Sequence, residues 1–325
     1  MITQVEIDRA QAAFGRLRAR IAEVIVGQGR VVDIALWGLL SGGHILLEGV
    51  PGLGKTLLVR SLARALGLQF SRVQFTPDLM PADILGTNVL SDDGTGFRFL
   101  PGPVFANVLL ADEVNRATPK TQSALLEAMQ ERQVTIAGVT HPLDAPFLVL
   151  ATQNPIEMEG TYPLPEAQVD RFLFKAEIHY PAQDDLVEII RRNTRGDGLV
   201  LPEPTMTHEE VLLAQRVVAA YPVPRPLLEY ATSLVLATHP GGENAPEVVR
   251  QFVQYGASPR GGLALVQGAK ARAFLDGRHH VEVEDIRAAI RPALVHRIIL
   301  NFRGEAEAVA LGDVVAEVAK AVPRP

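Results

Sequence analysis

Cysteine is absent from the 325 residues, which excludes a disulfide framework, a thiolate zinc site and a catalytic thiol. The absence suits a reducing compartment. Long apolar runs are also missing. The most apolar stretch, VVDIALWGLLSGGHILLEGV, is broken by Asp33, His44 and Glu48, so no membrane span is expected. The N-terminal MITQVEIDRAQAAFGRLRAR has no apolar signal-peptide core, and a cytoplasmic protein is the expectation. Basic excess is lacking too: 31 Lys and Arg stand against 37 Asp and Glu, for a net charge of −6. That balance argues against a surface coated in nucleic acid, although a local basic stripe stays open. No histidines have metal-ligand spacing. His279-His280 falls in a loop-like stretch, and His208-Glu209-Glu210 lacks the second histidine of a zinc-protease helix. The sole tryptophan, Trp37, lies on an apolar helix face and reads as core.

What is present is an alternation of short apolar runs with helical patterns. Residues 4–20, RVVDIALWGLLSG, KTLLVRSLARAL and PKTQSALLEAMQER have helical spacing. HILLEG, QFSRVQF, NVLLADE, FLVLATQNP and RFLFKAEIHY read as strands, and PDLMPADILG as a short helix. TNVLSDDGTGFRFLPG, with Asp-Asp-Gly at its centre, and RQVTIAGVTHPLD read as hairpins. Strands alternating with helices predict an α/β fold with a parallel sheet covered on both faces. After Tyr180 helices dominate. The Gly- and Pro-rich TRGDGLVLPEPTM is the linker candidate. The expected organisation is an α/β nucleotide-binding domain at 1–193, a linker at 194–206 and a helical lid at 207–325.

Gly49-Val50-Pro51-Gly52-Leu53-Gly54-Lys55-Thr56 has the P-loop spacing, with a strand before it and a helix after it. Glycines let backbone N–H groups converge on phosphate oxygens, and the helix N-terminus adds positive potential. Lys55 would reach the β- and γ-phosphates and Thr56 would ligate Mg²⁺. Asp112 and Glu113 end an apolar strand, where ligands of parallel sheets collect. Asp112 would hold the metal and Glu113 would act as general base on the attacking water. A solvated acidic pair is the bland alternative. Asn154 ends the next strand, before Pro155, and its amide could bond both the γ-phosphate and the lytic water; a plain Asn turn is the competing reading.

With Ala-Asp-Glu-Val-Asn-Arg-Ala, Thr-Gln-Asn-Pro and Glu-Ala-Gln-Val-Asp-Arg-Phe following the P-loop in this order, the chain resembles the AAA+ ATPases, and within them the MoxR family. The stretches that carry the resemblance cover most of residues 25–300. It implies a P-loop NTPase core of AAA+ type followed by a smaller all-helical lid, with ATP and Mg²⁺ as cofactors. It further implies that Val26, Gly27 and Gln28 line the adenine pocket and that Val50, Pro51, Gly52, Leu53, Gly54, Lys55, Thr56 and Leu57 hold the phosphates. Arg260, in Ser-Pro-Arg-Gly, matches the second sensor, acting in cis or in trans. Arg171 matches the arginine finger that serves the neighbouring subunit's nucleotide.

Arg171 is the awkward residue on physical grounds as well. It precedes the apolar Phe172-Leu173-Phe174, and an arginine there needs an anion. The local alternatives are Asp170 and Glu166. Asn115-Arg116 could face a subunit interface or pair with a surface acid. The resemblance implies a homo-oligomeric ring, a hexamer, whose ATP-driven lid and hairpin movements remodel, mature or insert a metal or cofactor into a partner protein. Partners carrying a von Willebrand factor A domain are the class it suggests. Two other readings stay open: a nucleic-acid motor, which the acidic balance and the sparsely basic hairpins disfavour, and a nucleotide-gated switch without turnover.

Overall fold

The computed structural model describes residues 3–91, 96–154, 161–194 and 201–325. The Asp-Asp-Gly turn, Pro155 and residues 195–200 of the linker candidate lie outside the described residues. The α/β part runs α1 (Gln4–Val24), α2 (Gly29–Leu40), β1 (Ile45–Glu48), α3 (Lys55–Ala65), β2 (Phe70–Gln74), α4 (Pro81–Leu85), β3 (Gly86–Leu90) and β4 (Phe97–Pro101). It continues with β5 (Val108–Asp112), α5 (Pro119–Glu131), β6 (Gln133–Ile136), β7 (Val139–Pro142), β8 (Leu148–Gln153), α6 (Glu166–Val169), β9 (Phe174–Glu177) and α7 (Gln183–Thr194).

Five strands form one parallel sheet in the order β2-β5-β8-β1-β9. Successive residues of a strand face opposite sides, and the apolar clusters follow that rule. Val108, Leu110, Leu148 and Leu150 join the cluster containing α1, α2 and α3. Leu109, Ala111, Val149 and Ala151 join the cluster under α5. Because both faces are covered, the strands read as continuous apolar runs in the sequence rather than as alternating ones. Helix ends obey local chemistry as well: Thr3 and Glu6 form a capping box on α1, and Pro119 opens α5 at a position that needs no N–H.

Both expected hairpins exist, as the antiparallel pairs β3–β4 and β6–β7. They touch through Phe99 and His141, whose rings stack with centroids 3.9 Å apart.

The C-terminal part comprises α8 (His208–Ala220), α9 (Arg225–Ala237), α10 (Glu247–Phe252), β10 (Val253–Tyr255), α11 (Pro259–Leu275), α12 (Val283–Leu294), β11 (Ile299–Leu300), α13 (Phe302–Ala306) and α14 (Leu311–Ala321). It is helical as expected, apart from the short β10–β11 ribbon. Its buried side chains belong to the same apolar cluster as α1, α2 and α3. Trp37 is core, meeting Phe174 edge-on at 6.1 Å.

Strand β9 is shorter than RFLFKAEIHY suggests. It is an edge strand paired with β1 alone, from Phe174 opposite Ile45 to Glu177 opposite Glu48, and so it runs no further than β1 does.

Candidate active site

The P-loop connects β1 to α3 at the carboxyl edge of the sheet. Gly52 and Gly54 have φ of +83° and +77°, a region costly for any residue with a Cβ. The buried Lys55 donates from Nζ to the Gly49 carbonyl at 2.5 Å. Burial lowers its pKa, while Asp112, Glu113 and Glu48 pull the other way and favour the ammonium. Thr56 and Leu57 occupy the first turn of α3.

Between α1 and α2, Gln28 donates from Nε2 to the Leu53 carbonyl at 2.7 Å, tying Val26-Gly27-Gln28 to the P-loop. A cleft of about 320 Å³ opens beside it, lined by Gly27, Gln28, Tyr180, Pro181, Asp185 and Arg291 among others. The Gln28 Oε1 is buried and has no partner among the described residues. A buried acceptor left bare is costly, and a base amino group would satisfy it. An orphaned acceptor next to a phosphate-binding loop therefore fits a nucleotide. Tyr180, Asp185 and Arg291 were not legible as site residues, since they come from the end of the sheet, α7 and α12 and have no motif.

Strand β5 pairs with β8, and β8 with β1, so Asp112, Glu113 and Asn154 share the P-loop's edge. Thr152 donates from Oγ1 to Asp112 Oδ1 at 2.6 Å, and the Glu113 amide donates to Thr152 Oγ1 at 2.8 Å. Arg72 on β2 pairs with Asp112 at 2.7 Å. Glu113 has the left-handed backbone φ 57°, ψ 50°, a strained placement of a kind found at functional sites. Its Oε2 accepts from Gln74 Nε2 at 2.8 Å and from Arg116 Nη1 at 2.9 Å. Arg116 thus pairs with the proposed base itself. Asn154 is buried immediately after β8.

The Thr56 hydroxyl and Asp112 carboxylate are hard oxygen donors, which suits Mg²⁺. No group of three or more His, Cys, Asp or Glu occurs with metal-site geometry among the described residues. A magnesium site of one or two protein oxygens, completed by phosphates and water, needs none.

The remaining two candidates lie at the other edge of the sheet. Arg171 follows α6 and donates from Nη1 to the Leu126 carbonyl at 3.3 Å. Among the described residues it pairs with neither Asp170 nor Glu166. Asp170 is engaged by the C-terminal part instead: Ser258 Oγ at 3.0 Å, Arg260 Nη1 at 3.2 Å and Arg297 Nε at 2.8 Å. Arg260 stands at the start of α11, where Ser258 caps the helix and Pro259 occupies the first turn. Arg297 is almost fully buried. Burial pulls it down to about 10, while Asp170 opposes the shift and keeps it charged.

The fold and this set of loops define a P-loop ATPase of the AAA type. Residues 44–174 match the ATPase family associated with various cellular activities (AAA), and residues 246–318 match the AAA lid domain family. The chain is similar to chaperone MoxR1 of Mycobacterium tuberculosis, with 45% identity over 94% of this chain and 80% of that protein. It is 34% identical to protein MoxR of Methylorubrum extorquens, over 96% of this chain and 95% of that protein. A crystal structure of an inferred ATPase from Cytophaga hutchinsonii superposes with a TM-score of 0.92 at 42% identity, covering 98% of this chain and 97% of the other. The chain belongs to the MoxR family of AAA+ ATPases. No helix among the described residues is long and apolar enough to cross a membrane.

Proposed function

We propose that this chain works as a closed ring, a hexamer, that hydrolyses ATP with Mg²⁺ and uses the energy to remodel or mature a protein client in the cytoplasm. Residues 1–193 form the nucleotide-binding domain, 207–325 the lid and 194–206 the linker. Lys55 and the P-loop amides bind the phosphates, and Val26, Gly27 and Gln28 bind the base. Glu113 takes the proton of the attacking water, and Asn154 orients that water. Mg²⁺, held by Thr56 and Asp112, supplies charge neutralisation at the phosphate oxygens. Clients with a von Willebrand factor A domain are the class that the family resemblance suggests, and the relative named as a chaperone supports a protein client.

The observation that carries the ring is the separation of the two arginines from their own P-loop. Phe174 pairs with Ile45 and Glu177 with Glu48, so β9 spans about 10 Å from the amino to the carboxyl edge. Arg171 precedes the near end and Gly49 follows the far end. Arg260, held at Asp170, shares the amino edge. This separation from their own P-loop supports the reading that both serve a neighbour's nucleotide. An arginine finger contributes about 10³–10⁵ in rate.

The test mixes Arg171→Ala with Lys55→Ala subunits. A trans finger lets mixed assemblies recover ATPase activity that neither variant has alone. Absence of any recovery counts against the ring. Glu113→Gln should bind ATP and stall, and normal turnover by it would overturn the water-activation role. Trapped on ATP, that variant is also the bait for isolating the client.

A further inference from the structure

Arg260 and Arg297 meet the same carboxylate, and their situations differ. Arg297 is fixed: it donates to Asp170 Oδ1 at 2.8 Å and to the carbonyls of Asp170, Phe172, Leu173 and Ala293. Its side chain is 2% exposed, and its donors are committed to the segment that carries Arg171. Arg260 makes a 3.2 Å contact with Asp170 Oδ2 and its side chain is 51% exposed. It can leave without unburying anything. Ser258 completes the set, donating to both Asp170 oxygens at 3.0 Å while capping the helix that presents Arg260. His296 adds a contact to the Phe172 carbonyl at 3.0 Å.

We propose that Asp170 is a positioning residue for hydrolysis. Its carboxylate, anchored by Arg297, holds the lid's Arg260 beside the finger Arg171, so that both cations are presented as one unit to an incoming triphosphate. The proposal rests on the reading of Arg260 and Arg171 as trans-acting groups. Arg260 and Arg297 both meet Asp170, while Arg171 shares a cleft with Glu127 and Glu131. A phosphate can take over Arg260 while Arg297 continues to neutralise Asp170. The lid's placement and the finger's placement are thereby set by one carboxylate, whose anchor Arg297 lies 127 positions further along the chain.

The experiment compares steady-state hydrolysis and nucleotide binding for Asp170→Asn, Arg260→Ala and their double variant. Asp170→Asn is expected to lower kcat about 10- to 100-fold, the worth of one charge-assisted hydrogen bond in the transition state. ATP affinity should hardly change, because the P-loop is at the other edge. The double variant should fall no further than the worse single one, as expected of residues acting as a unit. Asp170→Asn strands a buried guanidinium and could unfold the lid. Asp170→Asn combined with Arg297→Gln removes both charges of that pair and keeps hydrogen-bonding groups, and it should show the same loss of kcat in a folded protein. Wild-type kcat in that paired variant, alongside a damaged Arg260→Ala, overturns the proposal alone. So do fully additive losses for Asp170→Asn and Arg260→Ala. An Arg260→Ala variant with normal kcat overturns the sensor reading and the proposal together.

Discussion

Arg116 Nη1 lies 2.9 Å from Glu113 Oε2, so the carboxylate proposed to activate water is held by a cation three residues further along the chain. The Gln74 amide donates to the same oxygen at 2.8 Å. Both contacts draw Glu113 away from service as a base.

Arg116→Ala should therefore raise the basal rate of ATP hydrolysis. The pair is partly exposed, with side chains 44% and 21% accessible, and such pairs contribute about 0.2–1 kcal/mol. The gain is expected to be about two- to fivefold. Steady-state phosphate release without client measures it, and a fall in rate would instead assign Arg116 a direct part in turnover.

Gly27→Ala should weaken nucleotide binding with the P-loop untouched. Gly27 has φ +73°, and an added Cβ would meet Asp185 Oδ2 at 2.6 Å. Left-handed backbone costs a non-glycine residue roughly 1–2 kcal/mol, so affinity should drop about 5- to 30-fold. Titration with a fluorescent ATP analogue reads this directly. Lys55→Ala provides the contrast, with binding lost altogether.

Acid should destabilise the fold through His44. Its ring is buried against Phe147, Nδ1 accepts from the Val149 amide at 3.0 Å, and Nε2 lies 3.0 Å from the Met129 carbonyl. That arrangement needs a neutral ring, and burial depresses the pKa to about 4. A depressed histidine contributes its stability fully above the unfolded value of about 6.5. The contribution is lost as pH falls, because the unfolded state takes up a proton that the folded state refuses. About 3 kcal/mol should disappear between pH 6.5 and 4. His296, also held neutral by burial with Arg297 beside it, acts in the same direction. Denaturant midpoints at pH 7, 5.5 and 4 check the sign.

His141→Ala should loosen both hairpins together. His141 is on β7 and stacks on Phe99 of β4, a contact worth about 0.5–1.5 kcal/mol. Hydrogen exchange at the β3–β4 amides should quicken although the substitution is on the other hairpin. Protection unchanged on β3–β4 would show that the two move independently.

The P-loop, the Asp112-Glu113 pair and Asn154 were legible because each depends on residue order within a few positions and on a strand end. The hairpins were legible from turn chemistry. The Arg72 and Gln74 contacts to β5 were not, because they exist only once the sheet order sets β2 beside β5, about 40 residues later. Arg171 was recognised as needing an anion, yet nothing local indicated that Asp170 would turn to Ser258, Arg260 and Arg297. The β10–β11 ribbon has strands of three and two residues, too short for alternation to register.

The single apolar cluster running from α1, α2 and α3 into the C-terminal helices has a mechanical consequence. Swinging the lid away from its own α/β part would expose Phe174, Leu265, Ala269 and Ile290 to water, at about 25 cal/mol for each Å² uncovered. Side-chain exchange at Asp170 carries no such cost. In the proposed ring, work would then be transmitted by stiff bodies turning against one another at the joints between chains, with each chain keeping its shape.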